Sequence, residues 1–256
     1  MDAAGLAGLI ALAGVAAYIQ TLTGFAFGLV MMGGIGLTGL MSLPDAAVVV
    51  SVLTLVNALQ VLVRGWRDVA WREQLVILAP GLPALIAGYW LLEYLADTSL
   101  DWLRLILGLV IVASSIQLSM KPHPLETVSS KASFVGFGAV SGLMGGLFST
   151  SGPPLVYHLY RQPWPHAMVR ETLVSVFAIY AVVRFAGVTI AGNLPAPNVW
   201  WALLAIPLVM ALTYAARRWP PPVSALALRR IAFVLLLLSG LSLAVPAAVE
   251  LLGLSG

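Results

Sequence analysis

Apolar runs of membrane-spanning length follow one another along nearly the whole of this 256-residue chain, and no hydrophilic stretch between them is long enough to fold by itself. Cutting the chain at proline, glycine and charge clusters gives ten helical segments, approximately 5–20, 24–41, 44–63, 74–95, 100–119, 132–148, 152–161, 166–191, 198–217 and 227–250. A bilayer core of about 30 Å takes about 20 helical residues to cross, so most of these can span it. With 61% hydrophobic and only 9% charged residues, and a mean hydropathy of +1.00, the chain lacks the charge to cover a water-exposed surface. The expectation is one all-α membrane domain over 1–256, a polytopic helical bundle with no separate soluble part.

The absence of cysteine excludes disulfides, thiolate metal sites and cysteine nucleophiles. The net charge of +3 comes from basic loops, which in a membrane protein report orientation and give no sign of nucleic-acid binding. The opening residues, MDAAGLAGLI, carry no Lys or Arg before the first apolar run. That start lacks the charged region of a secretory signal, so the first run is read as part of the mature protein.

Lys and Arg gather in 64–72, 121–131, 161–170 and 217–230, whereas 97–101, 193–198 and the tail after Glu250 contain none. The positive-inside rule places the first group in the cytoplasm and the second outside. Six segments then cross singly, both termini lie outside, and 5–41 and 132–161 become hairpins, either re-entrant or fully spanning. The segment 152–161 is about half a span long, which favours a re-entrant hairpin whose tip is the STSGPP of Ser149 to Pro154.

The two halves resemble each other. AGVAAYIQTLTGF (13–25) lies over SGLMGGLFSTSGP (141–153), and LRLILGLVIVASSIQL (103–118) over LRRIAFVLLLLSGLSL (228–243), while Pro44 and Pro80 have counterparts in Pro165 and Pro207. Each half holds one hairpin and three crossings, so the second enters the membrane inverted. The expected organisation is repeat one at 1–120, a cytoplasmic linker at 121–130 and repeat two at 131–256. Inverted repeats with broken segments at matching positions point to a secondary transporter whose site lies where the breaks meet.

The breaks suit an anion. The first N–H groups of a half-helix have no intrahelical partner, and the helix dipole adds partial positive charge there. Gly24 and Gly152 permit close approach of backbone to ligand, and Thr21, Thr23, Ser149, Thr150 and Ser151 offer hydroxyl donors. Pro153 and Pro154 suit a helix start but have no N–H to give. The alternative is a kinked helix whose hydroxyls cap freed carbonyls.

Other polar residues leave two readings open. Arg184, flanked by apolar residues, is a countercharge for the anion or a snorkelling cation. Asn57, with Gln60 on the same helix face, lines the path or bonds a neighbouring helix. His158 contacts the solute or is a packing histidine. Glu93 and Glu171 fall near segment ends, where an interfacial role is expected, and the lack of a mid-membrane carboxylate argues against a cation as substrate.

The hairpin GLMGGLFSTSGPPLVYHL, the stretch RETLVSVFAIYAVVRFAG (170–187) and the closing ALRRIAFVLLLLSGLSL together resemble the TauE/SafE family of sulfite and organosulfur-anion exporters. That resemblance covers essentially the whole chain. It implies a transporter of the bacterial cytoplasmic membrane, usually counted as eight transmembrane segments, that moves small sulfur-containing anions with the proton gradient as a driving force.

The expected function is export of sulfite or an organosulfonate by alternating access, with the anion and membrane lipids as partners, a second copy of the chain left open, and no cofactor, metal or nucleic acid. An anion channel with the same site is the nearest alternative. A remote one is an intramembrane hydrolase using Ser149 or Ser151 with His158, which would need the histidine within hydrogen-bond reach of the serine.

Overall fold

The computed structural model describes residues 3–23, 26–119, 125–218 and 225–253. Every regular element among them is helical: α1 (Ala3–Thr23), α2 (Phe27–Thr38), α3 (Leu43–Gly65), α4 (Trp71–Thr98), α5 (Leu100–Ser119), α6 (Lys131–Phe148), α7 (Gly152–Tyr160), α8 (His166–Ala191), α9 (Ile206–Arg218) and α10 (Ala225–Leu251). Two 3₁₀ stretches, Trp66–Asp68 and Pro197–Ala205, precede α4 and α9. Seven helical stretches are long and apolar enough to cross a membrane, so the molecule is a multi-pass membrane protein.

Local chemistry sets these boundaries. Ser42 caps α3 by accepting from the Asp45 N–H at 3.2 Å, with Pro44 in the first turn. Gly39 (φ 63°) and Gly192 (φ 75°) end α2 and α8 in the left-handed conformation that glycine adopts without strain. The expected segment 198–217 divides instead of running as one α-helix. Pro207 has no N–H for an i−4 bond, and the chain before it is 3₁₀, with the Ile206 N–H bonded to the Leu203 carbonyl.

Each expected hairpin pairs a long arm with a short one. At 1.5 Å per residue, α1 and α6 reach about 32 and 27 Å, whereas α2 and α7 reach about 18 and 14 Å.

Glycine decides the main helix contact. On α6, Gly138, Gly142 and Gly146 recur every fourth residue and form a stripe facing Gly81, Leu85 and Gly88 of α4. A Cβ at Gly142 would lie 2.0 Å from the Gly81 carbonyl oxygen, and one at Gly146 would lie 2.0 Å from that of Leu85. The two backbones therefore touch directly, the close approach that small residues permit between membrane helices. Gly108 of α5 and Gly240 of α10 repeat the arrangement, each holding a carbonyl within 2.8 Å of where the other's Cβ would be.

The strongest pairings are α4 with α6, α5 with α10, α3 with α8 and α1 with α9. Exchanging the first five helices with the last five leaves this scheme unchanged. The α1–α9 pair becomes α6–α4, α2–α10 becomes α7–α5, and the other two pairs map onto themselves.

Candidate functional site

The second break is built by Ser149, the only non-glycine residue with positive φ (53°) among those described. Its N–H bonds the Gly145 carbonyl and ends α6. Its hydroxyl lies 2.8 Å from the Ala47 carbonyl and 2.7 Å from the Ser51 hydroxyl on α3, and Ser51 in turn lies 2.8 Å from the same carbonyl. Three contacts thus share two protons and fasten the break to α3. Next, the Ser151 carbonyl accepts from Ser141 at 2.6 Å, and α7 begins at Gly152 with both prolines in its first turn. Gln117 of α5 donates to the Pro153 carbonyl.

The start of α2 abuts this break. A Cβ at Gly28 would fall 2.7 Å from the Ser149 carbonyl oxygen and 2.9 Å from the Thr150 methyl. Between them lies a cavity of about 30 Å³ of water-accessible space, room for about two waters. Ser149, Thr150, Ser151 and Gly152 form one side of it, Gln20, Ser51 and Thr54 another, and Phe177, Tyr180 and Arg184 of α8 a third.

Among the described residues, Arg184 is the only charged one lining this cavity. It is 2% exposed, so it does not snorkel, and the reading that sent it to the headgroups is set aside. Its Nε donates to the Gly146 carbonyl at 3.2 Å, and its carbon centre sits 5.7 Å from the Tyr89 ring centroid. Both terminal nitrogens are buried without a hydrogen-bond partner among the described residues, as is the Thr150 hydroxyl. Buried polar groups are ordinarily paired, and three of the eight buried side-chain atoms left unpaired among the described residues belong to this one lining.

The remaining candidates divide. Thr21 does not line the cavity; its hydroxyl turns back to the Ala17 carbonyl at 2.8 Å, the bond a helical threonine makes with its own turn. Thr23 closes α1 with its side chain outside the described part, and Gly24 lies outside the described residues. Asn57 is buried and reaches Thr213 of α9 at 3.4 Å, a helix-to-helix contact away from the cavity.

His158 is stacked on Phe137 at 4.5 Å and edge-on to Phe134 at 4.6 Å, its buried Nε2 has no hydrogen-bond partner among the described residues, and it does not line the cavity. The ring that a hydrolase would need as its base is held there, apart from the serines lining the cavity. Glu93 bonds Asn193 at 3.2 Å near the end of α4. Glu171, in the second turn of α8, is 2% exposed and paired with the half-exposed Arg170 at 2.6 Å. Reasoning from the sequence missed Gln20, Ser51, Thr54 and Tyr180.

A match to the family described as Sulfite exporter TauE/SafE runs over residues 9–243. The chain belongs to the TauE/SafE sulfite exporter family. Among similar proteins of this kind is a probable sulfite/organosulfonate exporter TauE from Cupriavidus necator, 37% identical over 242 residues that cover 94% of each chain. Another is a probable inner membrane transporter protein TsaS from Comamonas testosteroni, 30% identical over 185 residues, 70% of this chain and 74% of that one. No solved structure matches. The TauE/SafE family is one of exporters and not of enzymes.

Proposed function

We propose that this TauE/SafE protein is a secondary transporter that exports sulfite or a small organosulfonate by alternating access at the cavity between the helix breaks. The observation that carries this reading is Arg184, whose two terminal nitrogens are buried and unpaired beside a cavity lined by no carboxylate. A buried charge is costly unless something pairs with it, and an oxyanion offers two oxygens at the spacing of the guanidinium fork. Thr150 and the first turn of α7 supply further positive character. The small cavity suits a compact anion. The relative named as a probable sulfite/organosulfonate exporter points the same way.

Calorimetry with sulfite, sulfate, thiosulfate and C2 sulfonates on protein in lipid nanodiscs tests the site, and silence across the set refutes it. Uphill sulfite efflux from cells, lost on adding a protonophore, is the result expected of a proton-driven exporter. Strictly downhill flux would mark a channel instead.

Thr150→Val keeps the shape of the side chain and removes one donor. Affinity should fall by about 1.5 to 3 kcal/mol, the range for hydrogen bonds to charged groups. Stability of the empty protein should not fall, because that hydroxyl has no partner to lose among the described residues. Calorimetry and thermal unfolding of the same sample check both halves, and unchanged affinity would remove Thr150 from the site.

The halves 1–120 and 131–256, joined by 121–130, enter this proposal as inverted repeats, supported by a helix pairing scheme that survives their exchange. Both termini are placed outside. Single cysteines at Ala3, Asp68 and Ala196 of this cysteine-free chain should react with an impermeant thiol reagent in intact cells at the first and last positions only. Labelling at Asp68 alone would reverse the orientation.

A further inference from the structure

Arg184 borders a second cavity. Between α4 and α8 lies a space of about 250 Å³, by the same measure that gives about 30 Å³ at the helix breaks, and Arg184 is the one residue that lines both. Apart from this cation and the Tyr89 hydroxyl, the second cavity is walled by apolar groups, among them Leu85, Trp90, Val183 and Ile190. Its rim faces the surface that lipid would cover: Ile190 is 87% exposed, and Ile86 and Trp90 are exposed beside it.

Glycine backbone and the Arg184 side chain lie between the two spaces. Gly145 lines the first cavity and Gly146 packs on the α4 backbone at Leu85 and Tyr89 that borders the second, and neither carries a side chain. The Arg184 stem crosses there, held by the Gly146 carbonyl and laid over the Tyr89 ring. On α8 the first cavity is lined by Phe177, Tyr180 and Ala181, and the second by residues from Val183 onward, so the second lies about 10 Å nearer the end of α8 at Gly192.

An inorganic oxyanion gains nothing from this apolar wall. A molecule with a charged head and a hydrocarbon tail gains from both parts, since the two unpaired nitrogens of Arg184 can grip the head while the tail leaves water. Glu93, one turn beyond Tyr89 on α4, disfavours the reverse placement with the anionic head at the outer end.

We infer that the α4–α8 cavity is a tail subsite, and that the protein takes linear alkanesulfonates with the sulfonate at Arg184 and the alkyl chain between Tyr89 and Gly187. This rests on the anion site proposed above and adds to it a place for the hydrocarbon part of a sulfonate. The sulfonate meets the terminal nitrogens of Arg184, and the tail lies in the larger space that the same side chain borders.

The test is a series from methanesulfonate to pentanesulfonate, with sulfite as reference, titrated into protein in lipid nanodiscs and into empty nanodiscs as a control for partition into lipid. Each methylene buried should tighten binding about fourfold, the factor that about 0.8 kcal/mol per methylene gives, so the series should span on the order of a hundredfold. The matching variant is Gly187→Leu. A Cβ at Gly187 meets nothing within 4 Å, so the new side chain enters the cavity without strain on the helix.

Gly187→Leu should bind sulfite and methanesulfonate as wild type does and lose the dependence on chain length. A flat series in wild type with measurable sulfite binding overturns the tail subsite and leaves the anion site standing. A dependence that persists in Gly187→Leu places the tail elsewhere and also overturns the subsite. Failure of every anion to bind wild type overturns the anion site itself, and the subsite with it.

Discussion

Arg184→Ala is expected to insert and fold as wild type does and to bind no measurable anion. The guanidinium makes one hydrogen bond, from Nε to the Gly146 carbonyl, and keeps two nitrogens unpaired in a setting where it is 2% exposed. Glu93 attracts the guanidinium without forming an ion pair with it, and a buried charge whose terminal nitrogens have no hydrogen-bond partner among the described residues is a cost to the empty protein, so its removal offsets the lost bond and the small cavity left behind. Binding loses two charge-assisted hydrogen bonds at once. At about 1.5 to 3 kcal/mol each, the affinity should fall by roughly two to four powers of ten.

Arg184→Lys should restore only part of this, because an ammonium keeps the charge without the planar fork. Calorimetry on the three proteins reads the affinities, and thermal unfolding without ligand reads the stabilities. Equal affinities across the set would sink the countercharge assignment. A protein that fails to accumulate when Arg184 becomes Ala but does so as Lys would show that the residue mainly holds α8 to α6.

The other large effect belongs to Gly142→Leu, which should fail to yield folded protein. The atom that a Cβ would strike at 2.0 Å is the carbonyl oxygen of Gly81, which is backbone in a helix and cannot rotate aside. Overpacking a well-filled core costs about 1 to 3 kcal/mol when side chains can adjust. Here a whole helix must move, so the cost should exceed that range and approach the stability of the fold. Gly136 on the same helix provides the control, since a Cβ there meets nothing within 4 Å. Gly136→Ala should match or slightly exceed wild type, alanine being the better helix former. Yield of monodisperse protein separates the two variants, and a well-behaved Gly142→Leu would mean that α4 and α6 are not in backbone contact.

The sequence reading found the helices because their ends are chemical events. Residues 166–191 were bounded by Pro165 and Gly192, and α8 occupies that range. The half-helix after Gly152 was legible for the same reason, as was the break before it, since Ser-Thr-Ser-Gly-Pro-Pro cannot continue a helix in oil. Arg184 stood out because a cation among apolar residues is costly.

What one dimension could not give was facing. Thr21 and Gln20 are neighbours in sequence, yet Gln20 lines the cavity while Thr21 bonds its own helix. Ser51 and Thr54 lie on an uninterrupted helix, where a hydroxyl ordinarily returns to the i−4 carbonyl, so nothing marked them as site residues. His158 sits one turn from Pro154, but the helix turns its ring onto Phe134 and Phe137. The four-residue spacing of Gly138, Gly142 and Gly146 is a contact stripe in sequence, but spacing does not say which helix it meets.

The glycine contacts also limit how the molecule can move. Gly142 on Gly81 and Gly108 on Gly240 are backbone-to-backbone joints, and each joins a helix of the first half of the chain to one of the second. Packed interfaces of this kind hold two discrete arrangements or one, and they do not stretch. Drawing the halves apart would tear both joints together, while a rearrangement that carries α4 with α6 and α5 with α10 leaves them whole. The hinges of any opening motion therefore fall between pairs of helices drawn from opposite halves, and the bodies that swing are not the two halves of the chain.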